Sequence, residues 1–144
     1  MKANVLISLI IFLIMSTGLY SQNKRQEVKI TKDEAGYTTK ESVVPNKSKT
    51  VYLYTPDGTN IERTSYNWDK QRFSWVPSQK YNYEYTADGK TSNIIVTKWV
   101  PEKKKWAERS EYITYVHTDE GTTVKRSEID NNDNVVLTQN KSSK

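Results

Sequence analysis

Tyr52-Leu-Tyr-Thr-Pro-Asp-Gly58 and Tyr83-Glu-Tyr-Thr-Ala-Asp-Gly89 are one element written twice, 31 residues apart. A weaker copy, Tyr115-Val-His-Thr-Asp-Glu-Gly121, follows after 32 more. The tryptophans keep the same period, Trp68 mapping onto Trp99 and Trp75 onto Trp106, with the members of each pair seven positions apart. Self-similarity at this spacing marks a repeat architecture. Each unit reads as strand, tight turn, strand and longer loop. In Thr55-Pro-Asp-Gly58, Pro56 supplies the φ of about −65° that a type I turn wants at its second position. Gly58 supplies the positive φ of the adjoining bulge.

Outward from the turns the sequence alternates with period two, as half-buried strands do. From Phe73 to Tyr85 the aromatic residues fall on one side, and Ser74, Val76, Ser78, Lys80, Asn82 and Glu84 on the other. Counting back from the turns sets the register. Tyr54 is expected opposite Asn60 and Tyr52 opposite Glu62, so Tyr52, Tyr54, Tyr66 and Trp68 share a face, with Val51, Leu53 and Ile61 behind. With Asp69-Lys-Gln-Arg72 as a four-residue loop, Trp68 opposes Phe73 and Tyr66 opposes Trp75. The same count around Gly89 puts Ile95, Thr97 and Trp99 with Tyr81, Tyr83 and Tyr85. All aromatics then converge on one layer. Two further hairpins, around Lys32-Asp-Glu-Ala-Gly36 and Asp130-Asn-Asn-Asp-Asn134, complete the sheet. The expected fold is all-β: an antiparallel meander of about nine long strands built from repeats of about 31 residues. An open curled sheet is preferred, with a closed up-and-down barrel as the alternative.

Composition agrees. The 144-residue chain is 35% apolar and 27% charged, carries a net charge of +5, and has no cysteine. After residue 21 its only leucines are Leu53 and Leu137, which excludes a large helical core. Fourteen aromatics remain in that stretch, and each buries about 150–250 Å² when covered, so they must supply most of the packing.

The first residues read as an address. Lys2 precedes an apolar run from Val5 to Met15 that is shorter than the roughly 20 residues a membrane helix needs. A basic start, a short apolar middle and the small residues Ser16, Thr17, Gly18 and Ser21 make a signal peptide over 1–21. Cleavage after Ser21 is preferred, with Gly18 second. The expected mature chain is one β-meander domain over 22–139 with a flexible tail over 140–144. It has no transmembrane segment, and without cysteine it is not a lipoprotein. It is periplasmic or secreted, and it holds together without disulfides.

Few residues invite chemistry. His117, the only histidine, sits beside Asp119 and Glu120 but occupies the slot of Tyr54 and Tyr85 in the repeat, so packing is the better-supported role. Asp57 and Asp88 precede turn glycines, where aspartate bonds nearby backbone amides. Asp130 to Asn134 lacks the glycine and glutamate of a calcium loop at the required positions. No metal or other cofactor is expected. Lys103, Lys104 and Lys105 form a basic loop tip that could draw an acidic polysaccharide or membrane surface. Basic residues among aromatics also suit single-stranded nucleic acid, but export argues against that partner. Trp68, Trp75, Trp99 and Trp106 are the candidate binding residues, able to stack on sugar rings. Their better-supported role is the core, since removing them would leave little to fold on.

The Tyr-x-Tyr-Thr-x-Asp-Gly turns with tryptophans spaced by seven resemble a small secreted family of Bacteroidetes-type bacteria, known as a domain of unknown function. The leader ending Leu19-Tyr-Ser-Gln22 is similar to leaders from that phylum. The resemblance covers roughly residues 25–138 and implies a fold, without catalytic residues. The leading expectation is an exported bacterial protein with a non-enzymatic binding or envelope-interaction role, its partner a glycan or another envelope protein. A carbohydrate-binding module using exposed Trp and Tyr is the alternative, and a secreted hydrolase the second alternative.

Overall fold

The computed structural model describes residues 25–136; the expected signal segment 1–21 and tail 140–144 lie outside them. Regular structure among these residues is extended throughout. The strands are β1 (Glu27–Lys32), β2 (Thr38–Val44), β3 (Ser48–Tyr54), β4 (Asn60–Asp69), β5 (Ser74–Tyr85), β6 (Thr91–Val100), β7 (Lys105–Trp106), β8 (Arg109–Thr118), β9 (Gly121–Asp130) and β10 (Val135–Val136). They hydrogen-bond in chain order, with the short β7 attached to β6 and bypassed by β8. Paired strands run antiparallel. β1 and β10 are not paired with each other, so the sheet is an open meander and not a closed barrel. No helix among the described residues is long and apolar enough to cross a membrane. The chain divides into two compact units, one ending at Pro77 and the other beginning at Ser78.

One turn builds four of the hairpins. In the first unit Gly36 N–H donates to the Asp33 carbonyl and Gly58 N–H to the Thr55 carbonyl, at 3.1 and 2.9 Å. In the second, Gly89 N–H donates to the Thr86 carbonyl and Asp133 N–H to the Asp130 carbonyl, at 2.9 and 3.1 Å. The last residue of each turn has positive φ: 88° at Gly36 and Gly58, 82° at Gly89, and 59° at Asp133. The first residue's side chain then accepts the N–H four positions on, from Tyr37, Thr59, Lys90 and Asn134 respectively. Thr and Asp stand there because a short side-chain oxygen reaches that amide. The weaker copy at Thr118-Asp-Glu-Gly121 folds differently. Thr118 pairs directly with Gly121, leaving a two-residue turn.

Register departs from the expected count at two equivalent places. Tyr54 does oppose Asn60, but Leu53 then opposes Glu62, and Tyr52 opposes Arg63 instead of Glu62. Ile61 is left out of the ladder as a bulge. Similarly Tyr85 opposes Thr91 while Glu84 opposes Asn93, so Ser92 is the extra residue. Ile61 and Ser92 are themselves 31 residues apart. Because side chains alternate with period two, each bulge moves the rest of its strand to the opposite face.

The single aromatic layer is therefore not what forms. In the first unit Tyr52 and Tyr54 stack at 6.3 Å between ring centroids on a face shared with Thr38, Lys40 and Arg63. Tyr66 lies opposite Lys49, on the other face with Val51 and Leu53, and Trp68 follows it by the pleat. In the second unit Tyr81 and Tyr83 stack at 6.4 Å and oppose Val96 and Ile94. Ile95, Thr97 and Trp99 take the reverse face. Each unit has a tyrosine face and a tryptophan face. Phe73 joins neither, being 78% exposed in a loop rather than opposite Trp68. Among the described residues only Val96, Ile113 and Ile129 are buried apolar side chains, all in the second unit.

Candidate functional site

The four tryptophans form two equivalent clasps. Trp68 meets Trp75 edge-to-face at 5.0 Å and 67°, and Trp99 meets Trp106 at 5.2 Å and 80°. Trp99 and Trp106 are direct cross-strand partners, β6 to β7, closing the loop that carries the lysine run. Sequence spacing of seven is what a short loop needs to bring the two rings together. A lysine caps each clasp. Lys49 Nζ lies 4.4 Å from the Tyr66 ring centroid and 5.9 Å from that of Trp75, and Lys80 Nζ lies 5.3 Å from Trp106. Lys49 and Lys80 are again 31 apart, a period match that reading the aromatics alone had missed. Burial first, then the Glu62 and Glu41 carboxylates, pushes the Tyr66 phenol above its ordinary pKa. All four tryptophans are half-buried. In each clasp the rings meet edge-to-face, with a lysine ammonium over one of them.

His117 is a pin between strands. Its Nε2 lies 2.7 Å from the Thr91 carbonyl and its Nδ1 3.0 Å from Thr122 Oγ1. The carbonyl can only accept, so Nε2 carries a proton.

A groove of about 490 Å³ opens in the second unit, lined by none of the four tryptophans. Its walls include Val96, Lys98, Arg109, Glu111, Arg126 and Glu128. It forms where β8 takes over from β7 on β6. Trp99 pairs with Trp106 but Val96 with Glu111, so the chain carries two extra residues between Ala107 and Glu111. The Ala107 N–H, 2.8 Å from the Lys98 carbonyl, keeps the strand attached across this double bulge. Bulges re-aim side chains and are common beside functional sites.

Charge in the groove follows from a short duplication. Arg109-Ser-Glu111 in β8 and Arg126-Ser-Glu128 in β9 are the same tripeptide on antiparallel strands. Register sets Glu111 directly opposite Glu128, a like-charge pair that alone is destabilising. Each glutamate instead takes the diagonal arginine. Arg109 reaches Glu128 at 3.2 Å, and Arg126 ion-pairs with Glu111. Both arginine side chains are 64% exposed, against 33% for Glu128 and 43% for Glu111. The cations thus stand outermost. Lys98, exposed and on the same face as Val96, has no ion-pair partner among the described residues.

No protein-family model matches the chain, and no curated relative matches it. Two solved structures resemble it. One is a DUF3836 family protein from Bacteroides vulgatus ATCC 8482, 17% identical, with a TM-score of 0.49 over 62% of this chain and 90% of that one. The other is a DUF3836 family protein from Parabacteroides distasonis ATCC 8503, 20% identical, with a TM-score of 0.47 over 60% of this chain and 82% of that one.

Proposed function

We propose that the chain is exported and acts at the bacterial envelope by binding, without catalysis. Export is supported by the leader, with its basic start, short apolar run and small-residue exit. The observation that carries the binding role is the groove between β6, β8 and β9, a concave surface with charged walls held in place by cross-strand ion pairs. Sugar stacking on the tryptophans draws less support, because each ring pair is edge-to-face and capped by a lysine.

The opposed Glu111 and Glu128 are the specific feature that favours hydrolysis as a second reading, since paired carboxylates flank the bond in glycosidases. Both are partly open to solvent and both face an arginine. A general acid is instead loaded by burial against an apolar wall. Binding is the better account of the same side chains.

Fractionation of a Bacteroidetes host expressing a C-terminally tagged chain tests the proposal. The expected result is a shortened chain in the periplasmic or medium fraction that is retained by washed envelopes. A full-length chain in the cytoplasm overturns export. Release of new reducing ends from envelope polysaccharide overturns the non-enzymatic assignment.

A further inference from the structure

We propose that the β6–β8–β9 groove binds an acidic polysaccharide, taking its carboxylate or sulfate groups on Lys98, Arg109 and Arg126. This rests on the binding role above and names its ligand class. The groove runs across three neighbouring strands, each about 4.8 Å from the next, so its cations are spread out and not focused on one point. Lys98 and Arg109 both line it. The acids in the walls, Glu111 on β8 and Glu128 on β9, are engaged by the diagonal arginines. An arginine has five N–H donors in a fork that fits carboxylate and sulfate oxygens. Bonding to one glutamate leaves others for a ligand.

The glutamates also discriminate. A polymer without donors offers nothing to the two carboxylates in the same groove, whereas a hydroxyl can donate to them. An acidic sugar polymer has what this lining asks for. Its anionic groups meet the cations, and its intervening hydroxyls donate to carboxylate oxygens. Val96 supplies an apolar floor, and the stacked rings of Tyr81 and Tyr83 stand on the same face, one strand away. That arrangement suits the alternating polar edge and apolar face of a sugar ring.

The test uses purified full chain on columns of alginate, a polyuronate, and of dextran sulfate, with neutral dextran as control. We expect retention on at least one acidic column at about 0.1 M NaCl and elution by about 1 M, where the Debye length falls from roughly 10 Å to 3 Å. Lys98→Glu is the sharpest variant, because no described ion pair is lost with it; we expect affinity to fall roughly tenfold or more. Lys125→Glu changes net charge equally but sits opposite Thr114, on the reverse face of β9; its affinity should stay within about twofold of the original. Circular dichroism and melting temperature confirm that both variants fold. Equal losses in the two variants, equal retention on neutral dextran, or binding to anionic lipid vesicles without binding to either polysaccharide would each overturn the assignment. A chain held by washed envelopes but by neither acidic column sinks the ligand class and leaves the binding role standing. A chain held by none sinks both.

Discussion

Asp88 shows how much of this fold is decided by single turn residues. The Thr86 hydroxyl, then Lys90, hold its carboxyl down to about 2, from an ordinary value of 3.8. Asp57 is lowered in the same way by Thr55 and Thr59, and Asp130 by the amides of Asn134 and Asn132. A carboxyl depressed in the folded state favours folding fully above its unfolded value and loses that contribution as pH falls through the folded one. Stability is therefore expected to decline between about pH 4 and pH 2, and Asp88→Asn should flatten the decline in that window, read by urea midpoints at stepped pH. Phe73 makes the opposite case. It adopts φ of 49°, a region that costs a residue with a side chain about 1–2 kcal/mol, and its ring is 78% exposed, so little is gained in return. Phe73→Gly should raise stability by about 1 kcal/mol in urea denaturation. A loss instead would mean that the ring has a contact worth more than the strain. The turns were legible in the sequence because their chemistry is local: a Thr or Asp, three residues, and a position that demands positive φ.

Bulges were not legible, and they decide which side of the sheet each strand shows. Nothing about Ile61 or Ser92 as residue types marks them as the odd one out; only pairing with the partner strand does. Missing them moved Tyr66, Trp68, Ile95, Thr97 and Trp99 to the wrong face and hid Lys98 from its true neighbours. The groove stayed invisible for the same reason, since it depends on β6, β8 and β9 agreeing in register. Its one signal in the sequence was the doubled Arg-Ser-Glu at residues 109 and 126, unremarkable until the strands are paired. The clasps were legible only in part. Their spacing of seven was visible, but the expected loop set Trp68 against Phe73 and Tyr66 against Trp75, whereas Trp68 meets Trp75 itself. Two deletions in β6 should therefore behave differently. Removing Ser92 only straightens the ladder, because Glu84 with Asn93 and all later pairs are unchanged, and it should cost no more than about 1 kcal/mol. Removing Thr97 reverses Lys98 and Trp99, breaks the Trp99–Trp106 clasp, and takes away the hydroxyl that lies 2.7 Å from Ser110. Near-ultraviolet circular dichroism should retain the tryptophan signal in the first variant and lose much of it in the second.

For the molecule as a whole, thin burial is the governing quantity. Val96, Ile113 and Ile129, at 5 to 7% exposure, are the buried apolar side chains among the described residues, while the tryptophans and most tyrosines stay half-covered. Ladder hydrogen bonds, ring pairs and lysine caps must then carry stability that a thicker core would supply. Cation–π contacts at exposed sites contribute only about 0.5–1 kcal/mol each, and edge-to-face ring pairs about 0.5–1.5 kcal/mol beyond their area. The slope of unfolding free energy against urea scales with the surface newly exposed. A chain that hides little has little to expose, so the slope should lie near the lower end of the small-protein range, about 1 kcal/mol per molar urea, despite 144 residues. Whatever covers a half-buried face or fills the groove binds the folded chain and not the unfolded one, and so stabilises it; at a hundredfold excess over its dissociation constant the gain is about 2.7 kcal/mol. Set against a small intrinsic stability, that gain should be prominent. Titrating alginate into the chain at low salt is expected to raise the melting temperature by several degrees, and Lys98→Glu should cancel the rise while leaving the ligand-free melting temperature within about one degree. A urea slope of about 2 kcal/mol per molar or more would show that the native chain conceals far more surface than its described strands do, and the thin-core account of this protein would fail with it.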